Sequence, residues 1–370
     1  MIAAKFGIFD HIEDIPGTPT SQLFKDRLTL IRMADEAGFA GYHLAEHHGS
    51  GLCMAPGQEL FIAAASQVTR NIRLGPMVKL LPMHHPVRII EDMCVLDQLT
   101  GGRLEYGVGR GAVPIEHYWF SRDWWESRDR FTDVLGIIRH ALAAGEISSE
   151  GSTFFDFPTM PMSTKPLQER IPFWYPGSPQ TAGRHGMSLM WPGEISEEAY
   201  EQYLRAWHDH KGDPIRFDGV GGNSKSEPRV GYSMLLSIAP TEAEARDVAR
   251  RGMEGLVRRH PRCPPVRPPR AVRAGLLRRA GRAARDPRQH GAGDRDRVGH
   301  PAADRRAGRG AARRRNGGLH LLHVPDRRHD VRRVQADARA ADLRRHPSAR
   351  AVARKVLTPP VSARPTLPEP

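Results

Sequence analysis

Apolar side chains recur every three to four positions from about Ser21 to Ala37, where Leu23, Phe24, Leu28, Ile31 and Ala34 line one face of a predicted helix. Gly38 follows as its C-terminal cap. A strand is predicted before it, from Ala4 to Phe9, and a short extended run begins after it at Gly41 and leads into Glu46-His47-His48. The pattern then repeats. A helix opening at Pro56 carries Leu60, Ile62, Ala63 and Ala64, a strand begins near Ile72, and a helix from Pro86 to about Leu99 is closed by Gly101-Gly102 before a strand at Arg103 to Gly107. Strand starts near 41, 72 and 103 lie 31 residues apart. That is the length of one strand, one helix and two short connections, and right-handed crossovers of this kind build an open parallel sheet or a closed (β/α)8 barrel. Further strands are predicted at Pro172 to Tyr175, Met187 to Met190 and Arg229 to Ile238, each followed by a helical pattern. Seven strands are visible, and a barrel needs eight.

The segment from Ile115 to Lys165 is too long for a simple connection and reads as an insertion over one end of the sheet, with a helix near Ser127 to Ala144. Its aromatics either wall an active site or, as expected for Trp119, Trp124 and Trp125, pack the insertion onto the barrel. A helix from Thr241 to Val257 is the last regular element predicted. At Arg258-Arg259-His260 the composition changes without a linker. Residues 1–260 carry 27 basic and 33 acidic side chains; residues 261–370 carry 28 and 9. The later stretch holds 27 Arg, 14 Pro and no Ile, Met, Phe, Tyr or Trp, so it lacks most side chains whose burial offsets chain entropy, and it is expected to be unfolded or poorly packed. It resembles a GC-rich gene translated out of frame, which would replace the eighth strand and last helix. The expected organisation is therefore a barrel domain over 1–258, with an insertion at 115–165, and an Arg/Pro/Ala-rich tail over 259–370. An excess of 19 positive charges would attract nucleic acid nonspecifically, but without stacking aromatics or a motif no specific nucleic-acid partner is expected.

Three cysteines, Cys53, Cys94 and Cys263, lie far apart with no CxxC, which argues against a disulfide framework or a cysteine-rich zinc module. The first residues meet a charge at Lys5 and again at Asp10, leaving no apolar stretch of the secretory kind, and a soluble cytoplasmic protein with no membrane partner is expected.

His43, Glu46, His47 and His48 gather at the end of the second strand, which in a parallel barrel is the catalytic face. Alternation lets His43 and His47 share one side. The spacing also matches H-x-x-E-H, a zinc signature that requires a helix; Gly41 and the short run before it favour a strand, so no metal is expected. Gly107-Val-Gly109-Arg110-Gly111 follows a strand but is not G-x-G-x-x-G, and AVPIEHYWF after it opens no clear helix. Glycines there let the strand end approach a ligand, while Arg110 offers a fork suited to phosphate. In Gly177-Ser178-Pro179-Gln180-Thr181, Pro179 suits a first helical turn, so Ser178 is either a helix cap or one hydroxyl of a phosphate cradle.

Together FGIFD at the start, Ala45 to His48 and LLPMHHPVRIIEDMCVLDQLTGGRLEYGVGRG at Leu80 to Gly111 resemble the bacterial luciferase-like flavin monooxygenase family. PFWYPGSPQTAGRHG and SIAPTEAEARDVAR add to a resemblance over roughly residues 4–257. It implies a (β/α)8 TIM barrel of the luciferase-like type, with an insertion after strand 4 and, here, a closing strand and helix missing or replaced. It implies reduced FMN (FMNH2), or in sister branches a deazaflavin, bound on the C-terminal face. By motif, His47 falls beside the flavin's reactive edge, Arg110, Ser178 and Thr181 at its phosphate, and Met77-Val78 where relatives have a strained, often cis, bond under the ring. The implied reaction is a monooxygenation by reduced FMN and O2 of a small organic substrate, with a separate flavin reductase as partner and pairing through barrel helices into a homodimer. The alternatives are a deazaflavin-dependent oxidoreductase on the same barrel and an inactive frameshifted product.

Overall fold

The computed structural model describes residues 5–219 and 226–259, together with the backbone of 319–324. Its first half runs β1 (Lys5–Asp10), α1 (Thr20–Glu36), β2 (Gly41–Leu44), α2 (Gln58–Gln67), β3 (Arg73–Pro76), the two-residue β4 (Lys79–Leu80), α3 (Pro86–Leu99) and β5 (Tyr106–Gly109). The inserted segment follows, with α4 (Pro114–Trp119), α5 (Ser127–Ala144) and a small antiparallel pair, β6 (Glu146–Ile147) and β7 (Met160–Pro161). The chain then returns through β8 (Phe173–Tyr175), α6 (Pro179–Arg184), β9 (Ser188–Pro192), α7 (Glu197–Asp209), β10 (Val230–Leu236), α8 (Glu242–Arg259) and β11 (Leu319–Val324).

Strands are ordered β3-β2-β1-β11-β10-β9-β8-β5-β4. All pairings along β3-β2-β1 and along β10-β9-β8-β5-β4 are parallel, as repeated strand-helix units require. The two ends of the sheet curl toward each other: Leu74 of β3 bridges Leu104, with the Leu74 N–H donating to Arg103 O at 3.1 Å and the Glu105 N–H to Leu74 O at 2.9 Å. This is the TIM-barrel type of arrangement that the resemblance implies, and one of the two that the 31-residue spacing allows.

The seat between β1 and β10 is filled by β11, which pairs antiparallel with both. No strand was expected from the tail. Without a neighbour, the facing edges of β1 and β10 would present rows of unpaired N–H and C=O groups, a template for any extended segment, and LHLLHV is an apolar run within the tail. The expected unfolding of the remaining tail concerns residues outside those described.

Local chemistry explains the other boundaries. The α1 end is tied to the β3 start by Asp35, whose carboxylate accepts the N–H groups of Arg70, Asn71 and Ile72 at 2.8, 2.8 and 2.6 Å. β5 begins three residues later than the expected Arg103; before it Leu104 pairs with β3 only as an isolated bridge, and the Arg103 guanidinium donates to Thr100 O, Ile72 O and Thr69 Oγ1. Gly75 has no room for a side chain, since a Cβ there would collide with the Glu105 carbonyl. The main core lies between strands and the helices α1, α2, α3 and α5, around Ile8, Leu44, Ile62, Leu74, Met93, Val108 and Ile138. Each fully buried Leu or Ile contributes about 1.5–3 kcal/mol. Among the described residues no helix is long and apolar enough to cross a membrane.

Candidate active site

Parallel strands deliver whatever follows them to one rim. His11 follows β1, Glu46-His47-His48 follow β2, Met77-Val78 follow β3, Arg110 follows β5 and Ser178 follows β8. Because β1, β2, β3, β5 and β8 are successive neighbours, these residues form one arc around the C-terminal mouth.

The Met77-Val78 peptide is cis. The Met77 N–H donates to Leu44 O at 2.8 Å, and the buried Gln58 amide at the start of α2 donates to Leu44 O and to Val78 O, clamping this segment to the end of β2. Two glycines of β5 accommodate it: a Cβ at Gly107 would meet Met77, and one at Gly109 would overlap Val78. Met77 packs with Trp174 and Met190, flanked by Phe9 and Val78, as an apolar floor to the mouth.

His47 is held by a carboxylate that the sequence reading did not find. Its Nδ1 lies 3.1 Å from Oε1 of Glu116, which is fully buried and also accepts the His48 N–H at 2.9 Å. The hydrogen bond to a carboxylate selects the Nδ1–H tautomer and leaves the acceptor lone pair on Nε2. The His47 ring also stacks on His11, 5.7 Å between centroids and 15° from parallel. Glu116 sits on α4, in the stretch where no helix was expected. The signal was present: Pro114 at the first helical position with a carboxylate two residues later marks a helix start.

Glu46 is a second buried carboxylate. Its Oε1 lies 3.0 Å from His48 Nε2 and 2.6 Å from His84 Nε2, and its Oε2 accepts the Leu80 N–H at 2.8 Å. Burial pushes its pKa up, but Lys79 and the hydrogen bonds from His48 and His84 outweigh burial and hold the carboxyl below its usual range. His43 is not part of this group. β2 is a strand that ends at Leu44, and His43 points into the barrel, fully buried, 3.2 Å from Glu105. His43 and His47 therefore differ in depth, one inside the barrel and one on the rim, and the H-x-x-E-H set is not assembled among the described residues.

At the other end of the arc, Arg110 stacks over Trp124 at 4.4 Å and donates to Ser127 Oγ at 3.0 Å. It has no carboxylate partner among the described residues. Burial, and then the neighbouring Arg128, lower its pKa. Arg128 was also missed, although it stands one residue inside the predicted start of α5. Tyr175 feels both arginines, and its ring lies against Gly177, where a Cβ would overlap it. Arg110 and the Ser178 turn are thereby neighbours of one residue. The Ser178 Oγ accepts the Thr181 N–H at 3.1 Å and donates to Thr181 Oγ1 at 2.8 Å, so Ser178 does cap α6, and both hydroxyls are exposed at the rim. His117, beside Arg110 and edge-on to Trp124 at 5.0 Å, is buried, and burial followed by the Arg110 charge pushes its pKa down to about 4. Trp125 does not pin the insertion to the barrel as expected, whereas Trp119, on the inserted helix, does lie against a barrel loop. Trp119 and Trp125 are 51% and 64% exposed, and Trp119 covers Gly49 in the loop after His48.

Residues 4–315 match the family described as luciferase-like monooxygenase, and the chain belongs to that family. The match continues past residue 257, where the motif resemblance stops. Limonene 1,2-monooxygenase of Rhodococcus erythropolis is 28% identical over 232 residues, 61% of this chain and 58% of that protein. The oxygenase component of flavin-dependent trigonelline monooxygenase from Acinetobacter baylyi is 27% identical over 209 residues, 54% of this chain and 58% of that protein. The matched region thus spans less than two thirds of these relatives' length. The oxygenating constituent of 3,6-diketocamphane monooxygenase from Pseudomonas putida, solved with FMN, shares the fold at a TM-score of 0.57 and 21% identity, covering 75% of this chain and 77% of that one.

Proposed function

We propose that this chain is the oxygenase of a flavin-dependent monooxygenase, using reduced FMN and O2 to oxygenate a small organic substrate, with a separate reductase supplying the reduced cofactor. Residues 1–258 carry the chemistry on this reading. One observation supports it above the others: a single rim presents an arginine with no carboxylate partner among the described residues at one end and a histidine-carboxylate pair at the other.

The residues present fit the cofactor. Arg110, with Arg128 adding to the local positive charge and the Ser178 and Thr181 hydroxyls beside Tyr175, suits a phosphate monoester. Trp124 under the guanidinium keeps its fork in place. Gly107 and Gly109 let Met77-Val78 lie close against β5, which gives a flat apolar ring an even surface above Trp174 and Met190. When bound, the flavin supplies the electrons that activate O2 so that one oxygen atom is delivered to the substrate.

The protein's own work is then positioning, water exclusion and proton handling. Met77, Trp174 and Met190 keep water from the floor of the mouth. Glu116 orients His47 and balances the charge that appears on its ring when Nε2 accepts a proton. The inserted helix α4 carries Glu116 and Trp119 over the loop after β2, so the insertion completes the site.

Anaerobic titration of the full chain with reduced FMN, followed by flavin fluorescence, tests the reading. Tight binding that Arg110→Ala weakens by at least about tenfold is expected for a lost charge-assisted phosphate contact of 1.5–3 kcal/mol. Unchanged affinity in the variant, or binding of a deazaflavin in preference to FMN with no oxygen uptake, would overturn it.

A further inference from the structure

Glu46, His48 and His84 each offer one donor atom, and these three atoms lie within 4.8 Å of one another. They come from two separate loops, the one after β2 and the turn at Leu81–Met83 before α3. We propose that this cluster is a binding site for a late first-row divalent cation such as Zn2+, with Glu46 Oε1, His48 Nε2 and His84 Nε2 as the protein ligands. The proposal departs from the expectation of no metal, and it uses a different set from H-x-x-E-H.

Two imidazoles and one carboxylate are the donor set that borderline divalent cations prefer, and three protein ligands leave room for water. In a tetrahedral site, bond lengths of about 2.0–2.2 Å place neighbouring donor atoms about 3.3–3.6 Å apart. The observed separations from Glu46 Oε1 are 3.0 Å to His48 and 2.6 Å to His84, so binding opens the first by about half an ångström and the second by somewhat under one, within the reach of side-chain rotation. The cation takes the place of the two protons now directed at that oxygen, each imidazole remaining neutral by carrying its proton on Nδ1.

The surroundings hold the ligands in place. The other oxygen of Glu46 is fixed by the Leu80 N–H, the His48 backbone is fixed by Glu116, and the Phe120 ring meets both imidazoles edge-on at 4.6 and 5.5 Å. Such outer contacts are what orient ligands in a metal site. Glu46 is fully buried, while His48 and His84 are 15% and 21% exposed, which gives the cation an approach from solvent. A competing cation, Lys79, stands 3.9 Å from Glu46 Oε1 and is engaged at 2.8 Å by Glu59.

The test uses the full chain, freed of metal, with Zn2+ as the probe in calorimetric titration and in thermal melts, and Co2+ as a spectroscopic probe. His84→Gln keeps an N–H to donate to Glu46 but removes the imidazole ligand, so it separates metal binding from hydrogen bonding. One equivalent of Zn2+ bound with micromolar or tighter affinity, a rise in Tm, and visible Co2+ absorption are expected. His84→Gln should weaken binding by at least about tenfold, the lower end of what even an outer partner contributes, and should abolish the Tm rise. His140→Ala, on an exposed imidazole 3.8 Å from Glu146, should change none of these. Equal Zn2+ affinity in His84→Gln and wild type, or no equivalent bound by a well-folded wild type, would overturn the proposal.

Discussion

Two buried glutamates, Glu105 and Glu116, sit at opposite ends of the strands and have different partners. Glu105 lies where the strands begin. Its carboxylate is engaged by Arg229 at 3.1 Å, Arg73 at 3.0 Å, His43 at 3.2 Å and the Trp174 Nε1–H at 2.8 Å. Burial raises its pKa, but Arg229, His43 and Arg73 together hold it below the usual carboxylate range. Arginine does not give up its proton in a protein, so Arg73 and Arg229 act as fixed charges that, with Trp174 and the fully buried His43, tie β2, β3, β5, β8 and β10 together. Glu116 lies where the strands end, and its side-chain partner on the rim is His47. The same residue type is scaffold in one place and a candidate part of the chemistry in the other, and the two arginines on Glu105 together with its place below the rim make the difference.

Three experiments bear on that contrast. The largest effect is expected from His47→Ala, with product yield per reduced flavin falling by about 10²- to 10⁴-fold, the usual contribution of a general acid or base, while flavin binding and Tm stay close to wild type. Coupling efficiency equal to wild type would remove His47 from the reaction and with it the distinction drawn for Glu116. Next, Glu105→Ala should cost about 3 kcal/mol in denaturant unfolding, because it leaves two arginines facing each other without their anion. That is the lower end of the range, since the Arg73 and Arg229 side chains are 32% and 35% exposed. A loss of activity with unchanged stability would reverse the two roles.

The smallest expected effect concerns pH. His117 has a folded pKa of about 4, against about 6.5 when unfolded. Between these values the unfolded chain binds a proton that the native protein excludes, so stability rises with pH across the window and is lost as pH falls below about 6.5. The loss reaches about 2–3 kcal/mol near pH 4. His117→Phe should flatten that part of a stability-pH profile measured by urea unfolding, and an unchanged slope would show that His117 is not the group responsible.

Much of the architecture was readable along the chain. α3 runs from Pro86 to Leu99 and α5 from Ser127 to Ala144, as their apolar spacing predicts. Helix periodicity is a local property, set within a few turns, and it survives folding. Arg110 and the Ser178 turn were also readable, because each stands in a short segment directly after a strand. The glutamate of the candidate site was not. Glu116 lies 69 residues from His47, and no spacing rule joins two residues whose meeting depends on how an insertion folds back over a neighbouring strand. His84 likewise reaches Glu46 across 38 residues.

From the order of residues alone came the repeating strand-helix unit, the family resemblance, and the sharp change of composition after residue 258, since each rests on neighbours in sequence. Only the folded chain decided that His43 belongs to the barrel interior and His47 to the rim, that Glu105 is bound by arginines and Glu116 by a histidine, and that Leu319–Val324 occupies the seat between β1 and β10. The physical reason is common to all three: a side chain's charge state and a strand's pairing depend on what stands within a few ångströms, and closing a sheet brings together residues that the chain keeps far apart.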